Sequence, residues 1–230
     1  MMKNLLFLIL TFSMFYGHSF GNSDNSGNPF EQVYGIGKVV VKFESNLYND
    51  KPYILNLYRS NSEDALAKTV EIKWNDNNGG YVETKNIEFI KVKDFYLEEP
   101  HYILMFNCLK EINGFYEVII NVDTKETMWL KKQSTIQLKL WDDFLKSVIC
   151  LSSLDAQTNQ IRVKPNDNSE VAMENVKDEC FEVIEVKGDW LNIRCFVIDF
   201  DMLDEKYRDF NGWLKWRDEN ELLIEYYLSY

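Results

Sequence analysis

Apolar and polar residues alternate along most of the chain after residue 34, and this pattern predicts β-strands. The runs GKVVVKFES (37–45) and YILNLYRS (53–60) are rich in β-branched and aromatic residues, and the turn-forming NLYNDKP separates them. In the segment TVEIKW, Val70, Ile72 and Trp74 fall on one face of a strand because side chains alternate. The Asn- and Gly-rich NDNNGG that follows predicts a hairpin turn, since both residue types tolerate positive φ.

The middle of the chain predicts a β-meander followed by a helix. Residues 102–132 contain three apolar runs, which Asn113-Gly114 and then VDTKET separate as turns. The next segment, WDDFLKSV, has helical spacing, and its apolar stripe consists of Trp141, Phe144, Leu145 and Val148. NSEDALAKT (61–69) predicts a single helical turn.

The last third repeats the strand-and-turn pattern. The strand candidates there are IRVKPNDNSEV (161–171, interrupted by a polar turn), CFEVIEV (180–186), WLNIRCFVI (190–198), GWLKWR (212–217) and ELLIEYYL (221–228). Gly188-Asp189 predicts a tight turn between the second and third of these. The insert DFDMLDEKYRDF (199–210) separates the third from the fourth, and LSSLDAQTNQ (151–160) has the composition of a linker.

A shift of 75 residues places two stretches of this pattern on each other. FNCLKEINGFYEV (106–118) then aligns with FEVIEVKGDWLNI (181–193), so that Phe115 meets Trp190 and the two turns coincide. MWLKK (128–132) aligns with GWLKW (212–216) after an insertion of nine residues in the second copy. Two copies of strand, tight turn, aromatic-led strand and Trp-Leu-Lys strand predict two similar small β-barrels.

The second copy resembles the bacterial SH3-like domain over about residues 155–230. That family has an Arg near a first short strand, a Pro three residues on, a Gly-Asp-Trp turn and a final Gly-Trp-aliphatic strand. The matching positions are Arg162, Pro165, Gly188, Trp190, Gly212 and Trp213. The first copy has Asn113-Gly114-Phe115 and Trp129 but lacks the Arg-x-x-Pro strand.

The resemblance implies five- or six-stranded, partly open barrels, which in exported and cell-envelope proteins are usually targeting or binding modules. Many recognise cell-wall peptides or other proteins. We therefore predict an all-β fold of tandem small SH3-like β-barrels with short helical turns. The predicted segments are a signal peptide (1–21), a flexible leader (22–33), an elaborated N-terminal SH3-like domain (34–148), a linker (149–160) and a C-terminal barrel (161–230). Residues 34–100 belong either to the first barrel or to a separate small sheet.

The N-terminus and the charge of the chain predict export. Lys3 precedes an almost unbroken apolar run over residues 5–15, and small residues follow at Ser19 and Gly21, which is typical of a secretory signal peptide. No Cys follows the run, so we expect a periplasmic or secreted protein rather than a lipoprotein, with no stable membrane insertion after cleavage. The alternative is an uncleaved N-terminal anchor. The net charge of -12 argues against nucleic acid as a partner, because phosphate binding requires clustered cations.

The cysteines predict a disulfide only weakly. Export makes disulfides possible, and the spacing of Cys108, Cys150, Cys180 and Cys195 matches no metal motif. Cys180 and Cys195 flank the Gly188-Asp189 turn, so a cross-strand bond between them is possible, and the sequence leaves open whether it forms. Cys108 lies within an apolar run and is typical of a small core residue.

The sequence predicts no catalytic centre, metal site or cofactor. His18 leaves with the signal peptide, and His101 has no neighbouring His or Cys. Asp142-Asp143 suits the first turn of a helix, and the acids of the 199–210 insert suit a solvated loop. Two alternatives are a wall-directed hydrolase that uses Asp199 or Asp201, and a structural or inhibitory subunit of an envelope assembly.

Aromatic residues are the candidates for ligand binding. They are Trp190, Tyr207, Phe210, Trp213 and Trp216. We expect Trp190 and Trp213 in the core and the other three to be partly exposed beside the acidic insert. An aromatic patch with an acidic rim suits a peptide or a basic partner. The sequence therefore predicts an exported, non-catalytic binding module for a peptide or protein of the cell envelope.

Overall fold

The computed structural model describes residues 29–43, 51–75, 81–98, 101–173, 180–196, 210–219 and 221–228, which form mostly β-strands. The elements up to residue 147 are α1 (Pro29–Tyr34), β1 (Gly37–Lys42), β2 (Tyr53–Tyr58), a 3-10 turn (Glu63–Ala65), β3 (Leu66–Asn75), β4 (Tyr81–Lys85), β5 (Phe95–Glu98), β6 (His101–Ile112), β7 (Phe115–Asn121), β8 (Glu126–Lys131), β9 (Ile136–Leu140) and α2 (Trp141–Ser147). The later elements are β10 (Cys150–Ser153), β11 (Ile161–Arg162), β12 (Val171–Met173), β13 (Phe181–Lys187), β14 (Trp190–Cys195), β15 (Asn211–Lys215) and β16 (Ile224–Tyr227).

The strands form two antiparallel sheets. The first sheet has the order β4-β3-β2-β8-β7-β6-β1-β9, and β5 pairs with one end of β6. The second has the order β12-β11-β15-β14-β13-β10-β16. Since β2 to β5 all belong to the first sheet, residues 34–100 are an elaboration of that sheet and do not form a separate one.

The two sheets repeat one arrangement of seven strands. β3-β2-β8-β7-β6-β1-β9 of the first sheet corresponds to β12-β11-β15-β14-β13-β10-β16 of the second, in the same order along the chain. The additional strands β4 and β5 lie between β3 and β6, whereas no strand lies between β12 and β13 among the described residues of the second half. The repeat therefore includes the whole second sheet, well beyond the three strands that the sequence shift aligned.

Hydrogen-bond register is also repeated. The hairpins β6–β7 and β13–β14 each close over two residues, between Ile112 and Phe115 in one and between Lys187 and Trp190 in the other. Each has an irregularity at the same place, between Cys108 and Lys110 and between Val183 and Glu185. The third strand keeps the register too, because Trp129 lies opposite Glu117 and Trp213 lies opposite Asn192. This register matches the one that the 75-residue shift predicts.

Two predicted boundaries differ from the structure. The predicted leader, 22–33, overlaps α1, whose Phe30 is only 1% exposed. The predicted linker, 149–160, contains β10, which lies between β13 and β16 in the second sheet. β10 is short and is followed at once by the polar stretch, so its apolar signal was too brief to stand out. The predicted helices are confirmed: α2 buries Trp141, Phe144 and Leu145, and the 3-10 turn lies within 61–69.

The described residues pack into two hydrophobic cores that share strands β1 and β6 of the first sheet. Val39 and Val41 of β1 belong to the first core, whereas Val40 belongs to the second. On β6, Leu104 and Phe106 face the first core, and Met105 faces the second. Strands buried on both faces have continuous apolar runs, which explains the VVV sequence of β1. The second sheet therefore packs against the outer face of the first.

The disulfide joins Cys150 to Cys180, with Cα atoms 5.5 Å apart, and the Cys180–Cys195 bond considered from the sequence does not form. Cys195 lies directly opposite Phe181 on the neighbouring strand, so these two side chains share a face. Cys180 precedes Phe181 by one residue and therefore faces the other way. Cys108 is fully buried, as predicted, and its thiol is free.

We predict that Cys180→Ser lowers the free energy of unfolding by about 3–4 kcal/mol, because the disulfide closes a loop of 30 residues. Urea denaturation under non-reducing conditions measures this change. Cys195→Ser is the matched control, since its sulfur is outside the bond, and we expect it to change stability by less than about 1 kcal/mol. Equal losses of stability in the two variants would contradict the Cys150–Cys180 assignment. So would a peptide map of the non-reduced protein that shows a disulfide to Cys195.

Candidate functional site

The predicted aromatic site is only partly accessible. Trp190 is buried as expected, with 8% of its surface exposed, and Phe210 is half-buried. Trp216, predicted to be partly exposed, is 1% exposed, while Trp213, predicted to lie in the core, is half-buried. Both errors have one cause: Leu214 and Trp216 face inward, so Trp213 lies on the opposite face. Tyr207 lies outside the described residues.

Trp216 instead belongs to an aromatic cluster at the contact between the two sheets. We call it the seam cluster, and its members are Phe30, Trp141, Phe144, Trp216 and Tyr226. The centroids of Trp141 and Trp216 are 5.6 Å apart, and Phe30 lies edge-on to Trp216 at 5.2 Å. Such aromatic pairs contribute roughly 0.5–1.5 kcal/mol each beyond the burial of their area. The cluster joins α1, α2, β16 and the segment after β15.

Both tryptophans of the seam cluster are fixed by a backbone hydrogen bond. Trp141 Nε1 donates to the carbonyl of Gly35, and Trp216 Nε1 donates to the carbonyl of Gly188, each at 2.9 Å. Gly35 has φ +78°, and a Cβ there would lie 2.0 Å from the carbonyl oxygen of Cys108. Only glycine fits this position, which ends α1 and directs its carbonyl at the Trp141 ring.

A buried polar trio lies beside the seam cluster. Lys38 Nζ is 2.8 Å from Asp94 Oδ2, and Tyr226 donates its hydroxyl to the same oxygen at 2.6 Å. The side chains of Lys38 and Asp94 are 6% and 2% exposed. Lys38 Nζ also lies 5.4 Å from the ring centroids of both Trp141 and Tyr226. β1 of the first sheet and β16 of the second are therefore tied together by one carboxylate.

Burial is the largest influence on the pKa values of Lys38 and Tyr226. Desolvation lowers the pKa of Lys38, and the neighbouring charge of Asp94 acts in the opposite direction. Burial also raises the pKa of the Tyr226 hydroxyl, and the negative charge of Asp94 raises it further. The hydroxyl therefore remains a hydrogen-bond donor at neutral pH. The partners of the trio depend on one another, because any of them left alone would be a buried polar group without compensation.

An open groove follows the outer side of the seam cluster, with a volume of about 480 Å³. We call it the acidic groove, and it is lined by Glu31, Gly35, Ile36, Leu140, Trp141, Asp142, Asp143, Trp216 and Arg217. The three carboxylates belong to exposed residues of α1 and of the first turn of α2. Arg217 is already engaged, because its Nε is 2.6 Å from Asp189 Oδ1 and its guanidinium lies over the ring of Trp216 at 4.7 Å.

The groove combines apolar and acidic surface. Its exposed apolar surface comes mainly from Leu140, which is 50% exposed, because Trp141 and Trp216 are only 5% and 1% exposed. Since the single guanidinium is paired with Asp189 outside the lining, the free charge of the groove is negative. Such a surface suits a chain segment with a Lys or Arg side chain, whose aliphatic stem packs on apolar atoms while its charged end meets a carboxylate.

Sequence reasoning located part of this site. It named Trp216 and placed Asp142-Asp143 in the first turn of a helix, which is confirmed. It missed Lys38, although a Lys directly before the apolar run VVV was a visible signal of a charge on a buried strand. The insert acids Asp199, Asp201, Asp204 and Glu205 lie outside the described residues. Within the described part of the chain, no group of three or more His, Cys, Asp or Glu side chains is arranged to hold a metal ion.

Comparisons with known proteins returned no match: no family model, no curated protein and no solved structure matches this chain.

We predict that removal of one member of the buried trio destabilises the protein strongly. Asp94→Leu or Lys38→Met should lower the free energy of unfolding by about 3–5 kcal/mol, because each leaves a buried charge without its partner. The double variant should lose less than either single one. Tyr226→Phe should cost about 1.5–3 kcal/mol, the value of a hydrogen bond to a charged group.

Urea denaturation of the four variants measures these changes. Lys85→Met is the control, since Lys85 pairs with Glu71 on the exposed surface at 3.6 Å and such pairs contribute at most about 1 kcal/mol. Strictly additive losses in the Lys38 and Asp94 double variant would mean that the two side chains do not interact.

Proposed function

We propose that this protein is an exported, non-catalytic binding module of two tandem SH3-like units, and that it recognises a peptide or protein of the cell envelope. The observation that carries the proposal is the acidic groove at the seam of the two repeats. It combines three exposed carboxylates with apolar surface, and its one guanidinium is already paired. The recognised segment therefore carries at least one Lys or Arg side chain.

Several features of the second half support the SH3-like interpretation. Arg162 of the short strand β11 lies opposite Trp213 of β15, which brings the Arg strand and the Gly-Trp strand of the resemblance together. A Cβ at Gly212 would lie 2.6 Å from Ile161 Cγ2, so the glycine of that motif permits close packing of the two strands. The two sheets differ from the family in strand number: the second has seven strands and the first has nine, whereas the resemblance implies five or six.

The disulfide supports export. Disulfides persist in oxidising compartments such as the periplasm and the extracellular medium, and are rare in the cytosol. Cys150 of β10 and Cys180, which directly precedes β13, form such a bond. The signal peptide expected over 1–21 lies outside the described residues. Among the described residues, none of the helices is long and apolar enough to cross a bilayer.

The groove fits a partner held by several weak contacts. Exposed ion pairs contribute roughly 0.2–1 kcal/mol each, so three carboxylates supply about 1–3 kcal/mol in total. Apolar contact with the exposed side chain of Leu140 adds to this. A single site of this kind gives modest affinity, and a partner with repeated epitopes, such as a polymer of the envelope, raises it through multivalency.

We predict that neutralising the groove weakens the binding of a basic peptide. The triple variant Glu31→Gln, Asp142→Asn, Asp143→Asn should bind acetyl-Lys-Gly-Lys-Gly-amide roughly tenfold or more weakly, because both lysines of the peptide lose their carboxylate partners. Titration calorimetry or fluorescence of Trp141 and Trp216 measures the affinity, and the difference should shrink at high salt.

The control is Asp64→Asn, Glu83→Gln, Glu88→Gln, which changes the net charge equally at exposed residues away from the groove lining. We expect this variant to bind the peptide like the native protein. An equal loss of affinity in both triple variants would mean that only the net charge of the protein matters. No binding of the peptide by the native protein would overturn the proposal.

A further inference from the structure

A second cleft lies on the other side of Trp141, with a volume of about 230 Å³. We call it the lysine cleft, and it is lined by Val33, Tyr34, Lys38, Val92, Lys93, Met105, Asn107, Val122, Lys125, Trp141, Leu222 and Tyr226. Three of the lining residues are lysines and none is Asp or Glu. The charged lining residues are therefore all basic, although the net charge of the chain is -12.

The three lysines differ in how much charge they leave free. Lys38 forms the floor and is neutralised by Asp94. Lys93 is 53% exposed, lies over the Tyr226 ring at 5.4 Å, and has only a long contact with Glu225, at 3.9 Å. For Lys125, no described residue forms an ion pair with its ammonium group. The free positive charge of the cleft therefore comes from Lys93 and Lys125 at its rim.

Lys125 is held at the rim by a defined turn. Its φ is +59°, a left-handed conformation that residues with a side chain adopt rarely. The side chain of Asn121 accepts hydrogen bonds from the backbone N–H groups of Asp123 and Thr124 at 3.0 and 3.1 Å, which fixes the turn between β7 and β8. The carboxylate of Asp123 points to Lys91, at 3.5 Å.

The rest of the lining suits a small apolar group next to an amide. Val33, Val92, Met105, Val122 and Leu222 supply apolar surface, and Tyr34 and Trp141 supply rings. Asn107 of β6 supplies one amide group, which can pair with a peptide N–H or C=O. Pockets for drug-sized ligands are larger, about 300–1,000 Å³, so this cleft holds a group near the size of one or two residues.

We propose that the lysine cleft binds the C-terminal residue of a peptide. The free carboxylate lies between the ammonium groups of Lys93 and Lys125, the terminal side chain packs between Tyr34 and Trp141, and Asn107 meets the last peptide group. This inference rests on the proposed function, because it specifies one end of the peptide that the module recognises. It is a site distinct from the acidic groove, although Trp141 lines both.

Two peptides with no basic residue test the inference on the full-length mature protein. Acetyl-Gly-Gly-Leu with a free carboxylate should bind at least tenfold more tightly than the same peptide with a C-terminal amide, because the charge-assisted contacts are lost in the amide. In the double variant Lys93→Gln, Lys125→Gln this preference should disappear. In Lys164→Gln, Lys187→Gln, two exposed lysines outside the cleft lining, it should persist.

Each alternative outcome is distinguishable. Equal binding of acid and amide, or a preference that survives in Lys93→Gln, Lys125→Gln, overturns the inference and leaves the proposed function to its own test with the basic peptide. Competition by acetate at the concentration at which the peptide saturates would mean a general anion site and would also overturn it. If the basic peptide does not bind and acetyl-Gly-Gly-Leu with a free carboxylate does, the acidic groove is rejected as a binding site and the lysine cleft is retained.

Discussion

Burial of β1 on both of its faces is the constraint on which the rest of the structure depends. A strand directs successive side chains to opposite sides, so Val39 and Val41 fill one core while Val40 fills the other. The same alternation places Lys38 on the side of Val40, where it is only 5% exposed. An unpaired ammonium group there would be prohibitively costly. Asp94 and Tyr226 are needed for this reason, and they bring the β5 and β16 segments to the same point.

This constraint joins the two repeats into one packed unit. The core of the second half contains Phe30, Val40 and Met105, all of which precede the second sheet in the chain. Trp216 and Leu151 of the second half belong to the same core, so the second sheet is completed by surface of the first. The acidic groove and the lysine cleft both follow from this contact, since Trp141 of the short helix α2 separates them.

Local features were predictable from the sequence, and features that depend on long-range pairing were not. The two-residue turns at Asn113-Gly114 and Gly188-Asp189 are determined by residues that tolerate positive φ, so the hairpin registers followed. The burial of Trp216 depends on which face of β15 meets the second core, and a period of two residues does not reveal that choice. The partner of Lys38 is 56 residues away in the chain, and no local pattern indicates it.

The site arises from divergence between the repeats rather than from the repeat itself. The backbone N–H of Trp216 donates to the carbonyl of Asp189. In the first repeat the equivalent bond joins the backbone N–H of Lys132 to the carbonyl of Gly114. Lys132 extends over the ring of Tyr116 and pairs with Glu111 at the surface, whereas Trp216 turns into the seam cluster. The repeated backbone therefore offers the same position twice, but only the second copy places a large aromatic ring there. Because that ring meets Phe30 and Trp141 from the first half, the acidic groove and the lysine cleft each combine residues of both halves, and a ligand bound there contacts both repeats.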